Sequence, residues 1–115
     1  MRFKLFSLLA VLAVFVLIGA GCAKTEPQGI ILFVGDGCPH CAIVEEFLTQ
    51  NKVNKKVDYT ILEVYKNKSN AALMVKKATA CGLSTDSLGV PFLWDGSNCL
   101  VGDVDINNFF QEKIK

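Results

Sequence analysis

The stretch ILFVGDGCPHCAIVEEFL, residues 31 to 48, changes its hydrophobic period half-way, and two cysteines stand at the change. Ile30 to Val34 is a continuous apolar run with β-branched residues, closed by Gly35-Asp36-Gly37. Such a run predicts a strand covered on both faces, near the centre of a sheet. From Pro39 onward, Cys41, Val44, Phe47 and Leu48 recur at helical spacing while Glu45, Glu46 and Gln50 fall elsewhere, so a helix packed on that sheet is expected. Pro39 suits the first helical turn, where its missing N–H costs nothing. Cys38 and Cys41 therefore sit at a strand-to-helix junction, and three uses are open to them: electron exchange, a metal, or a static cross-link.

Further along, Val57, Tyr59 and Ile61 alternate with Asp58 and Thr60, and Val64 and Tyr65 extend the run, which predicts a second strand. Asn67 to Asn70 can cap the next element, a helix over Ala71 to Ala80 that stops at Cys81-Gly82 and is moderately buried. After the polar connector Ser84 to Gly89, the runs Val90 to Trp94 and Cys99 to Val101 flank the turn residues Asp95 to Asn98 and read as a hairpin. Gly102-Asp103 then breaks the strand and caps a last helix, with Ile106, Phe109, Phe110 and Ile114 as its buried stripe. The expected order is β-α-β-α-β-β-α.

The chain has 115 residues, 51% of them hydrophobic and 20% charged, enough for one compact core and too little for two. Its first residues are of a different kind. Arg2 and Lys4 precede an uncharged run from Leu5 to Ala20, short for a membrane span and typical of a signal peptide core. The expected division is thus a leader or anchor over 1–21, a small, polar tether over 22–29 and a folded domain over 30–115. Gly19 to Cys22 (GAGC) resembles the lipobox of bacterial lipoproteins, although Gly19 stands where an aliphatic residue is usual; cleavage there leaves Cys22 as a lipidated N-terminus. An uncleaved anchor and an ordinary signal peptide are the other readings. All three place the domain outside the cytoplasm, membrane-anchored in the first two. Without residues 1–21, ten Lys and Arg face eleven Asp and Glu, which offers no electrostatic case for nucleic acid.

Of the five cysteines, Cys22 is the lipid acceptor in the first reading and four remain: Cys38, Cys41, Cys81 and Cys99. An even set in an exported chain suggests disulfide chemistry. Cys81 closes the second helix and Cys99 lies in the last strand, so a stapling disulfide and two unpaired buried thiols are both open for this pair.

With strand, CPHC, helix, then Gly89-Val90-Pro91-Phe92 about fifty residues later, and a Gly-Asp start to the final helix, residues 30 to 114 resemble the thioredoxin superfamily, most closely its small glutaredoxin-like branch. Leu100 to Phe110 is similar to the glutaredoxin ending, and the central Pro39-His40 is the dipeptide of the periplasmic DsbA-type oxidases. The resemblance implies an α/β, thioredoxin-like fold, a four-stranded mixed sheet flanked by helices. It also implies thiol-disulfide oxidoreductase activity needing no cofactor, with protein thiols and disulfides as substrates and a membrane redox partner. Pro91 would be cis and face the CPHC sulfurs, with Val90 offering its backbone to an extended substrate. Asp36 and Gly37 stand where glutathione-using glutaredoxins commonly carry a basic residue, which leaves glutathione use open. The buried acid of thioredoxin has no counterpart in Ile30 to Val34.

The chemistry asked of these residues is definite. A thiol attacks a disulfide only as thiolate, and free cysteine, with a pKa of about 8.5, is mostly protonated at neutral pH. At a helix N-terminus, unpaired N–H groups and the positive end of the macrodipole stabilise the anion, and a protonated His40 adds to this. Cys38 is then the nucleophile. Cys41, one turn on and more buried, resolves the mixed disulfide, while Pro39 stiffens the turn. The alternative of a different class is a soft-metal module that uses the CPHC thiols for copper(I) or zinc; with Cys81 and Cys99, four zinc ligands are on hand, though the second pair lacks the CxxC knuckle.

Overall fold

The computed structural model describes Gly21 and residues 24–115. Cys22, and the leader expected before it apart from Gly21, lie outside the described residues. Among those described, no helix is long and apolar enough to cross a membrane.

The apolar run is the second strand from the edge of an open, four-stranded mixed sheet. β1 (Ile30–Val34) pairs in parallel with β2 (Tyr59–Glu63) and antiparallel with β3 (Phe92–Trp94), which pairs with β4 (Cys99–Val101), giving the order β2-β1-β3-β4. Side chains on a strand alternate between faces, and β1 has an apolar layer on each. Leu32 and Val34 join Cys41, Val44 and Leu48 of α1 (Pro39–Gln50) and Ile106 and Phe110 of α3 (Asp103–Ile114). Ile31 and Phe33 join Met74 and Ala78 of α2 (Lys68–Ala80) and Phe92 of β3. Ile31, Leu32 and Phe33 have no exposed surface, and each contributes about 1.5–3 kcal/mol by leaving water. The mixed α/β architecture and the order β-α-β-α-β-β-α are as expected, and are compatible with a thioredoxin-like fold.

Local signals set most helix ends. Pro39 is the first residue of α1, as its fixed φ favours. α2 starts three residues before the expected Ala71, because the Asn67 side chain accepts the Asn70 N–H at 3.0 Å and lets Lys68 open the helix. It stops where Gly82 takes φ +72°. There Gly82 N–H donates to Thr79 and Leu83 N–H to Ala78, the pair of bonds of a Schellman ending.

Three details differ from expectation. The second strand is shorter than Val57 to Tyr65 and is an edge strand, and its central Ile61 is 41% exposed in the wall of an open cleft that Ala42 and Glu45 of α1 also line. The third strand begins at Phe92 rather than Val90, since Pro91 has no N–H to give a ladder; its carbonyl instead accepts from Gly102 N–H at 3.0 Å. A one-turn 3₁₀ helix, Val53–Lys55, comes after α1 and buries Val53.

Cys81 and Cys99 form a disulfide, Cα atoms 6.2 Å apart, which joins the end of α2 to the start of β4. This decides between the two readings open for them. With 18 residues of separation, the cross-link removes loop entropy from the unfolded chain equivalent to about 3 kcal/mol. The double variant Cys81→Ala/Cys99→Ala is therefore expected to lose about that much in urea unfolding under oxidising conditions, while a change of less than about 1 kcal/mol would remove the staple from the account of stability.

Candidate active site

The end of β1 delivers Cys38 to the head of α1. Its backbone is extended (φ −77°, ψ 116°) and it is the N-cap of the helix. A cap side chain ordinarily offers oxygen to the free N–H groups of the first turn; here the Cys38 Sγ accepts the Cys41 N–H at 3.2 Å. Cys38 is half-buried and Cys41 fully buried, and Cys41 Sγ accepts the Gly35 N–H at 3.5 Å. The two sulfurs form a disulfide, with Cα atoms 5.2 Å apart. Pro39 and His40 are exposed in the first turn.

The β3 side supplies the facing wall. The Val90–Pro91 peptide is cis, Pro91 is buried, and the half-buried Val90 places its carbonyl oxygen 3.7 Å from Cys38 Sγ. The structure thus brings together Cys38, Pro39, His40, Cys41, Val90 and Pro91.

Two groups around the motif carry no site signal in the sequence. The first is Asp103, whose Oδ1 lies 2.9 Å from His40 Nδ1. Gly102-Asp103 carries only a helix-start signal, and the last helix does start there. Gly102 is the N-cap, no side-chain cap bond is made, and the Asp103 carboxylate goes to His40 instead. The second is the cluster of Asp36, Glu63 and Lys66 in the wall of an open cleft of about 580 Å³ that runs beside Cys38 and Pro39. The Glu63 carboxylate accepts the N–H groups of Asp36 (3.2 Å), Tyr65 (2.7 Å) and Lys66 (2.9 Å), so it clasps the loop before Cys38 to the loop after β2. Lys66 adds an ion pair to Asp36 across the same gap. That pairing holds the Asp36 carboxyl below its ordinary range and the Lys66 ammonium above its own. For Glu63, partial desolvation pushes the carboxyl up, but the backbone N–H donors of Lys66, Tyr65, Asp36 and Asn67 outweigh it and the net shift is downward.

The four cysteines do not converge. Cys99 pairs with Trp94 and Trp94 with Ile31, at the start of β1, whereas Cys38 comes after the end of that strand. A four-cysteine zinc site over Cys38, Cys41, Cys81 and Cys99 is therefore ruled out by the strand register. Among the described residues, no three of His, Cys, Asp and Glu are grouped as metal ligands. Nor is any charged or polar residue among them buried, so no carboxylate lies under the CPHC pair.

No family model matches this chain, and no curated protein matches it either. The reading of the site rests on its geometry. A sulfur aimed at by a helix-terminal N–H, a second sulfur bonded to it from the protected side, and an open cleft beside the first are compatible with redox exchange.

The Glu63 clasp carries a pH dependence of known sign. Its carboxyl is held below its ordinary value of 4.5, so the contribution to stability is complete above that pH and is lost as the pH falls through the folded-state value. Glu63→Gln is expected to flatten the acid limb of the stability profile below pH 4.5, measured by urea unfolding at a series of pH values. An unchanged acid limb would show that the clasp is not coupled to folding.

Proposed function

We propose that the chain is a thiol-disulfide oxidoreductase of the thioredoxin-like, glutaredoxin-related kind, acting outside the cytoplasm and tethered to the membrane by its N-terminal segment. The observation that carries the reading is the Cys38 sulfur in the N-cap position of α1, accepting the Cys41 N–H, with Cys41 buried behind it in disulfide contact. A thiolate left at Cys38 is met by the positive end of the helix, which favours the reduced pair and raises its oxidising power.

In the oxidising direction, a client thiolate attacks Cys38 Sγ, the Cys38–Cys41 bond breaks, and Cys41 leaves as the thiolate and takes up a proton. A second client thiolate attacks the client sulfur of the mixed disulfide. Cys38 departs with the electron pair, the client gains a disulfide, and the CPHC pair has taken two electrons. The reducing direction runs the same steps backward: Cys38 attacks a client disulfide, and Cys41 then attacks Cys38 Sγ and expels the reduced client. Which direction operates is set by the reduction potential of the pair against that of its partners. Val90 and Pro91 form the wall along which an extended client segment would lie, and a membrane-held dithiol or disulfide is the partner that would restore the starting state.

The tether reading is supported by the leader-like run Leu5 to Ala20 and by GAGC ending at Cys22. The two roles of the cysteines separate cleanly in substitution. Cys41→Ser is expected to accumulate mixed disulfides through Cys38, resolved on non-reducing gels and released by dithiothreitol, whereas Cys38→Ser accumulates none. If the Cys41→Ser protein, folded and exposed to client or model disulfides, captures nothing, the exchange chemistry is not that of this site.

A further inference from the structure

The contact between His40 and Asp103 joins two segments 63 residues apart. We infer that Asp103 is a positioning residue for the CPHC motif: it holds the His40 imidazole against the head of α3 and so governs the redox equilibrium of the Cys38–Cys41 pair through that ring. The inference rests on the redox reading above.

A carboxylate oxygen can only accept a hydrogen bond, so the 2.9 Å approach requires the His40 Nδ1 to carry the proton. Asp103 therefore fixes which ring nitrogen is protonated as well as where the ring lies. Of the two side chains His40 is 69% exposed and Asp103 only 20%, which makes the aspartate the fixed member and the histidine the held one. Asp103 is itself set in place. Gly102 adopts φ 93° and ψ 154°, a region essentially closed to residues with a Cβ, and its N–H donates to the Pro91 carbonyl at 3.0 Å. One step of chain thus touches both walls of the site: Gly102 reaches Pro91, and Asp103 reaches the residue beside Cys41. The carboxylate is not needed by its own helix as a cap, because no side-chain cap bond exists there.

The reaction that reads this out is the Cys38–Cys41 disulfide plus dithiothreitol going to the Cys38/Cys41 dithiol plus the cyclic disulfide, two electrons passing to that pair, quantified by thiol alkylation and peptide mass so that Cys81–Cys99 is scored separately. It is measured on the full-length chain in detergent for the wild type, Asp103→Ala, His40→Ala and the double variant. Asp103→Ala is expected to change the equilibrium constant by about fivefold or more where His40 is present, as for directly interacting groups, and by less than about twofold in the His40→Ala background. Equal shifts in both backgrounds, or no shift with His40 present, would overturn the inference. Asp103→Leu, which keeps roughly the side-chain size but offers no acceptor to His40 Nδ1, replaces the alanine variant if that one does not fold. The chain has a single histidine, so ¹⁵N resonances of the ring report His40 alone. A protonated Nδ1 in the neutral ring of the wild type, lost in Asp103→Ala, is expected. An unprotonated Nδ1 in the wild type would overturn the inference even if the cysteine pair proved redox-silent, an outcome that would itself count against the proposed function.

Discussion

A sulfur atom occupies the place at the head of α1 where a hydroxyl or carboxylate usually satisfies a free backbone N–H. The bond from Cys41 N–H to Cys38 Sγ needs the helix to begin at one residue and no other. That start is determined from both sides: Pro39 at the first helical position allows no earlier continuation of the ladder, and β1, packed on both faces, cannot slide. A one-residue slip of β1 would turn Leu32 and Val34 toward the α2 layer and send Ile31 and Phe33 to the α1 and α3 layer. The position of the Cys38 sulfur is therefore a consequence of the two apolar layers as much as of the CPHC residues themselves.

Around that sulfur the polar contacts have opposite signs. The Cys41 N–H at 3.2 Å stabilises negative charge on Cys38. The Val90 carbonyl at 3.7 Å opposes it. The donor is the closer group and belongs to the first turn of α1, so in the proposed exchange it is the contact a thiolate at Cys38 would use. In the proposed exchange, the carbonyl is of use to a second party, because an extended client segment arriving beside Cys38 brings backbone N–H groups that need acceptors. A site that both holds a thiolate and receives a strand would use this pair of contacts together.

Short-range physics decides the features that are legible in the sequence. The period change at Gly35 to Cys38, Pro39 at the start of α1, Asn67 as a cap and Gly82 as a stop each depend on residues within one turn of each other, and each has its expected place. The 41% exposure of Ile61 is not legible, because alternation along a strand says which face a side chain takes, not how closely the neighbouring helix approaches that face at a sheet edge. Asp103 reads as a helix-start residue because its other partner, His40, is 63 residues away. Glu63 clasps loops that only the β1–β2 register brings together. The pairing of Cys81 with Cys99 likewise depends on where β4 lies relative to α2, which spacing alone leaves undecided.

The two disulfides share a chemistry and differ in what they do for the fold. A cross-link over a sequence separation of 3 restricts an unfolded chain less than one over 18, roughly 2 against 3 kcal/mol by loop entropy. The short one also joins residues that β1 and the first turn of α1 already hold together, so it adds little order that packing has not supplied. Cys81–Cys99, by contrast, fastens the end of α2 to a three-residue strand at the sheet edge that has a ladder partner on one side only. The folded domain thus has a structural need for the second bond and much less for the first. In the proposed exchange, this is the pair that would open and close while the rest of the domain stays folded, because packing rather than the bond holds its surroundings.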